Sequence, residues 1–141
     1  MFAQNSKADI RFGAFIEKDE RILGYGWCRR SKKRERQKYR VDYCVHAEEA
    51  ALFMALESGK RLVGSTLYVA GFLKHDRPFF KKSAYFTCRR CARRVLIPHN
   101  IPVHVPTKSG WQGLTPDEAM ISSQKFFKKG FWGKVAKGKH R

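Results

Sequence analysis

The chain has no long apolar run. Nowhere in its 141 residues does a hydrophobic stretch approach the ~18 residues that a membrane-spanning helix needs. No membrane partner is therefore expected. Acids are scarce as well: 12 Asp and Glu stand against 30 Lys and Arg, for a formal net charge of +18. There is no internal repeat and no Pro/Gly/Ser-rich linker, so nothing divides the chain into separate globular units. Residues 1–129 are expected to form one domain with a basic insert at 29–40, followed by a basic tail over 130–141. The first residues, MFAQNSKADIR, lack an apolar core segment and a cleavage pattern, so they do not read as a signal peptide and a cytoplasmic location is expected. Only four cysteines occur, Cys28, Cys44, Cys88 and Cys91. Without a secretory context they do not suggest a disulfide framework, and the Cys-x-x-Cys pair reads first as metal or redox chemistry.

Hydrophobic residues make up 43% of the chain, near the globular norm, which excludes a wholly disordered polypeptide. The charge says little about fold but much about partners: it favours nucleic acid or phosphorylated ligands, against the plainer reading of a solvated basic surface.

Residues 12–16 (FGAFI) and 21–27 (RILGYGW) read as a strand pair joined by the polar EKDE turn. The run RRSKKRERQKYR at 29–40 holds eight basic residues and one acid, and is expected to be a solvated loop or insert. VHAEEAALFMAL at 45–56 is rich in helix formers, with Gly59 as its stop. TLYVAGF at 66–72 reads as a buried strand, and 73–87 as a long loop. CRRCARRVLI at 88–97 reads as a helix ending near Pro98, and IPVHVP at 101–106 as a strand that is either at an edge or interrupted by its prolines. Thr115, Pro116 and Glu118 form a capping-box pattern that opens a helix running to about Lys129. The order ββαβαβα implies an α/β fold, a three-layer α/β/α sandwich with a mixed sheet.

Chemistry-bearing residues open two of the helices: His46-Ala47-Glu48 and Cys88-Arg89-Arg90-Cys91. Zinc accepts imidazole nitrogen and thiolate, usually in four-coordinate tetrahedral sites. One His and two Cys provide three ligands and leave a fourth position for water, the pattern of a catalytic site. Cysteines three residues apart lie on one side of a helical turn, and a helix N-terminus favours the thiolate. Each helix follows a strand, which places both N-termini at the carboxyl edge of the sheet, where open α/β sheets bind ligands. Glu48 beside a metal-bound water suits a proton shuttle. A closed four-ligand structural site completed by Cys28 and Cys44 is the competing reading of the same residues.

His-x-Glu followed by Cys-x-x-Cys is the zinc signature of the cytidine deaminase superfamily. VDYCVHAEEAAL at 41–52 and YFTCRRCARRVL at 85–96 resemble its deoxycytidylate deaminase-like branch, and VHVPTKSGW and LTPDEA are similar to it as well. The resemblance implies zinc on His46, Cys88 and Cys91, Glu48 as general acid/base, and hydrolytic conversion of a cytosine-type base to uracil by attack at C4. Three departures stand out. Thr87 occupies the usual proline position before the first Cys. GYGWCRR replaces a segment that often carries a sugar-binding Asn. The first helix of the family is truncated.

The basic residues cluster at 29–40, 89–94 and 125–141. Candidate substrate contacts are Ala47, Arg29, Arg30, Arg89 and Arg90. Candidate nucleic-acid contacts are Lys32, Lys33, Arg34, Lys128, Lys129, Phe131 and Trp132, because aromatics can stack on exposed bases while cations follow the backbone. The aromatics of the last helix could equally face the core. A monophosphate needs one or two cations, whereas a single-stranded DNA or RNA substrate accounts for the charge too. The expected partner is a cytosine-containing nucleotide or single strand, with a homo-oligomer left open. The alternatives are adenine deamination on RNA and a non-catalytic subunit that binds nucleic acid.

Overall fold

The computed structural model of the protein describes residues 11–73, 77–78, 87–107 and 109–128. The first two strands, β1 (Arg11–Lys18) and β2 (Arg21–Trp27), pair antiparallel around Asp19 and Glu20. Both turn residues have positive φ, 51° and 64°, the two-residue hairpin geometry whose twist matches the flanking strands. A bulge between Ile16 and Glu17 shifts the register before the turn.

The basic run after β2 is ordered, contrary to the loop expected. It forms a short strand β3 (Arg29–Arg30) and a helix α1 (Lys33–Tyr39), and β3 pairs with β4 (Cys44–Val45). Its single acid explains this. Glu35 is buried, accepts the backbone N–H of Lys32 at the helix start, and takes both prongs of the Arg29 guanidinium at 2.8 and 2.7 Å. Arg29 thereby draws the carboxyl pKa of Glu35 down to about 2. Tyr39 closes the helix by stacking on Phe53, ring centroids 4.1 Å apart.

Helix α2 (Ala47–Glu57) follows, with His46 as its extended N-cap residue, and Gly59 beyond it at φ 73°. Strand β5 (Thr66–Leu73) lies where a buried strand was expected, and a two-residue strand β6 (Arg77–Pro78) pairs back onto it. Residues 74–76 and 79–86 of the expected 73–87 loop lie outside the described residues. Next come α3 (Arg89–Cys91), a π-helical stretch (Ala92–Leu96) and α4 (Ile97–His99), continuous with one another. The helix ends near Pro98, as expected, passing one residue beyond it to His99. The widened π turn lies directly ahead of Pro98, where the missing N–H leaves a carbonyl without its usual donor. The actual stop is Asn100, left-handed at φ 52°. Around it Asn100 N donates to Ile97 O and Ile101 N to Leu96 O, a Schellman closure.

Strand β7 (Val103–Thr107) is internal, so of the two placements expected from its prolines the edge is not the one adopted. It lies between β5 and β8 (Gly110–Leu114), a strand the sequence reading did not find. Its parallel pairing to β5 covers only Val103 and His104, so Pro106 falls beyond that ladder and removes no hydrogen bond from it. The last helix, α5 (Pro116–Lys128), opens with the expected box: Thr115 N donates to Glu118 and Glu118 N donates to Thr115 Oγ1.

The sheet order is β2-β1-β5-β7-β8, with β5 and β7 parallel and the other neighbours antiparallel. Because β1 runs against both β2 and β5, those two point the same way. The connections β2–α2–β5 and β5–α3/α4–β7 are therefore both parallel crossovers, and the N-termini of α2 and α3 sit at one edge of the sheet. One sheet face, with Ala14, Ile16, Leu67, Val69, Val103 and Val105, forms the core with side chains from α2, the π stretch and α5. The architecture is the α/β sandwich with a mixed sheet that was expected. The opposite face is aromatic: Phe15 stacks on Tyr68 at 4.8 Å, and His104 and Trp111 meet Tyr68 edge-on. None of the described helices is long and apolar enough to cross a membrane.

The seat of α2 depends on two glycines of β2. A Cβ on Gly24 would overlap the Ala51 carbonyl oxygen, and one on Gly26 would overlap Ala50. Gly24→Ala is expected to cost about 1–3 kcal/mol or more of stability, since the helix backbone cannot yield as a side-chain tip can. Denaturant unfolding checks this, and an unchanged midpoint would mean that α2 does not rest on β2 as described.

Candidate active site

The first crossover brings His46 to the sheet edge and the second brings Cys88 and Cys91. His46 precedes the first helical residue with φ −76° and ψ 157°, so its ring is not bound to the helical 100° spacing. That resolves the geometry of His-x-Glu: His46 stands off the helix while Glu48 occupies its first turn. Cys88 likewise precedes α3, and its Sγ accepts the Cys91 N–H at 3.4 Å.

His46 Nδ1 lies 3.3 Å from both Cys88 Sγ and Cys91 Sγ, and the three ligand atoms fall within 4.8 Å of one another. Zinc bonds of ~2.3 Å to sulfur and ~2.0–2.1 Å to nitrogen, at tetrahedral angles, imply an N···S separation of roughly 3.5 Å. The donor set and its spacing therefore fit zinc. The thiols are prepared unequally. Cys88 is drawn down to about 4, first by the hydrogen bond from the Cys91 thiol and also by His46. Cys91, fully buried, is pushed up by desolvation and by donating to Cys88. A metal that replaces the shared proton satisfies both sulfurs at once. Cys28 and Cys44 are not in this group among the described residues. Burial, with the Glu48 carboxylate second, pushes the Cys28 thiol up to about 12, so it is a protonated neighbour of the site.

Glu48 is buried and accepts a hydrogen bond from the hydroxyl of Thr87. Desolvation raises its pKa above the usual carboxylate range, and the charge on Cys88 adds to this. Thr87 and His46 pull the other way. Thr87 stands where the family pattern has proline, so the departure seen in the sequence introduces a hydrogen-bond donor to the buried carboxylate.

The family model for the cytidine and deoxycytidylate deaminase zinc-binding region matches residues 2–102. The chain belongs to this family. In structure the deaminase is similar to the dCMP deaminase of cyanophage S-TIM5 in its apo form, with 19% identity, 71% of this chain and 68% of that chain covered, and a TM-score of 0.50. That likeness concerns the fold. No curated protein matches the deaminase in sequence.

The remaining candidate residues divide by what their side chains already hold. Arg29 is committed to Glu35, and Arg90 to Glu49 and the Cys44 carbonyl. The Ala47 side chain is fully buried in the core, which leaves only its backbone toward any ligand. Arg30, Lys32, Lys33, Arg34 and Arg89 are exposed, and no salt bridge among the described residues engages them. Lys128 ends α5, and its side chain is not described. Lys129, Phe131 and Trp132 lie outside the described residues. Sequence reasoning missed Glu49 as a member of the site, singled out Thr87 only as a departure from the family pattern, and named Cys28 only as a possible extra ligand. Their partners lie 41, 39 and about 20 residues away, beyond any local pattern.

Proposed function

We propose that this deaminase hydrolyses a cytosine-type base to its uracil counterpart, and that its substrate is cytosine in single-stranded nucleic acid. Zinc on His46, Cys88 and Cys91 would supply the Lewis acidity that makes a water nucleophilic near neutral pH. Water adds at C4, the exocyclic amine leaves as ammonia, and Glu48 carries the proton between them. Its buried carboxylate takes one proton from the attacking water and delivers it to ring N3, then takes the second from the new C4 hydroxyl and delivers it to the departing amine. Burial suits Glu48 to this, because it narrows the gap between carboxylate and substrate proton affinities.

The observation that supports the polymer reading is the set of exposed cations, in no salt bridge among the described residues, that flank the site in sequence. Arg30 and α1 approach from the strand leading to His46, and Arg89 from the Cys turn. Beside them a cleft of about 340 Å³ is lined by Tyr25, Trp27, Lys32 and Arg34, together with the paired Arg29 and Glu35 and the carboxylate of Glu57. A free monophosphate would use one or two of these cations. The rival substrate is dCMP or CMP; the phage enzyme of similar fold is a dCMP deaminase.

The deciding experiment is deamination by the purified protein of dCMP, CMP, single-stranded oligonucleotides and tRNA, together with the salt dependence of oligonucleotide binding. Engaging five phosphates of a single strand gives a log–log slope of about −3.5. Deleting residues 130–141 is expected to flatten that slope while leaving zinc content unchanged. A flat salt plot, or dCMP turnover far above that of any oligonucleotide, would assign the enzyme to free nucleotides. Conversion of adenosine in tRNA would move the base preference to adenine.

A further inference from the structure

We propose that Glu49 and Arg90 form a clamp that positions the zinc ligands, and that Arg90 is therefore not a substrate contact. This rests on the assignment of His46, Cys88 and Cys91 to zinc. Glu49 is a carboxylate only 2% exposed. Its Oε1 accepts the backbone N–H of His46 at 3.0 Å and Arg90 Nη2 at 2.9 Å, and its Oε2 accepts Arg90 Nε at 3.1 Å. Arg94 Nη1 stands 3.7 Å from the same oxygen. Arg90 Nη2 also donates to the carbonyl of Cys44 at 3.0 Å.

These bonds join the two ligand-bearing turns. Arg90 lies in sequence between Cys88 and Cys91. Its guanidinium reaches two points that straddle His46, the carbonyl two residues before it and the carboxylate three residues after it. The bond from His46 N to Glu49 fixes the backbone from which the imidazole projects. Arg90 fixes the distance from that backbone to the cysteine turn. A planar fork with several donors can bridge a carboxylate and a carbonyl together, which an ammonium on a flexible stem cannot. Neighbours that orient metal ligands typically change metal affinity 10–100-fold when altered.

The test uses the full chain and reads zinc first. Zinc affinity is measured by competition with a chromophoric chelator for wild type, Glu49→Gln and Arg90→Lys, and ligand geometry by the absorption of the cobalt-substituted proteins. Both variants are expected to hold zinc roughly 10–100-fold more weakly and to show shifted cobalt bands, with KM for the pyrimidine substrate unchanged. Arg89→Lys, at the exposed neighbour, should leave zinc affinity and cobalt bands as in wild type. If Glu49→Gln fails to fold, Arg90→Lys reads the same quantities. Wild-type zinc affinity and spectrum in Arg90→Lys, or a raised KM as its sole defect, would overturn the clamp while leaving the zinc assignment standing. A wild-type protein that binds no zinc would overturn both.

Discussion

Glu48→Gln is expected to lower the rate of deamination by about 10²–10⁴-fold while zinc content and thermal stability stay near wild type. In free energy the loss is about 2.7–5.4 kcal/mol of transition-state stabilisation. The substitution is chosen for its shape. A glutamine amide keeps the volume in a site where Glu48 is buried, and its carbonyl oxygen can still accept the Thr87 hydroxyl. What it cannot do is take up and return a proton. A defect in kcat with normal zinc is therefore the signature of the shuttle. Loss of zinc in the same variant would instead make Glu48 a ligand. Near-normal turnover would remove it from the chemistry altogether. Zinc analysis and steady-state kinetics on one preparation separate the three outcomes.

The residues of this site differ in how readily sequence reveals them. His46, Glu48, Cys88 and Cys91 come in two short clusters whose chemistry and spacing are local, so they were legible without a fold. The helix over 47–57 and the capping box at Thr115 were legible for the same reason, since composition and capping act within one or two turns. The order of the basic run 29–40 was not. It hangs on Glu35 meeting Arg29 six residues back, and on Tyr39 finding Phe53 in another helix. Eight like charges in twelve residues argue for a solvated loop until that single carboxylate is placed. Strand β8 was hidden because GWQGL has two glycines and little alternation, and it is held by its ladder to β7. The pairing of Glu49 with Arg90 spans 41 residues. In the sequence Arg90 looks like any other cation of the Cys turn, and only the folded chain shows that its charge is already matched. Its neighbour Arg89, one residue earlier, is exposed and in no salt bridge among the described residues.

Cys91→Ser is expected to abolish stoichiometric zinc and, with it, the stabilisation that zinc gives the fold. Cys91 is fully buried, and its sulfur closes one side of the triangle with His46 and Cys88. A serine hydroxyl stays protonated at neutral pH and is a poor zinc ligand, so two donors remain of three. Metal that binds only the native state stabilises it by mass action, about 4.1 kcal/mol at a free concentration of 1,000 times Kd. For a domain near 150 residues that corresponds to a rise in Tm of roughly 10 °C. Wild-type protein should accordingly lose about that much Tm when treated with a strong chelator, whereas Cys91→Ser should melt at the same temperature with and without it. The comparison separates metal from packing, since the small cavity left by the sulfur lowers the variant's Tm equally in both conditions. Cys88→Ser should behave alike, with a smaller packing penalty because Cys88 is only half-buried. A Cys91→Ser protein that retains one zinc per chain, or a wild type whose Tm is indifferent to chelator, would show that the ion is not held where the fold brings these three side chains together.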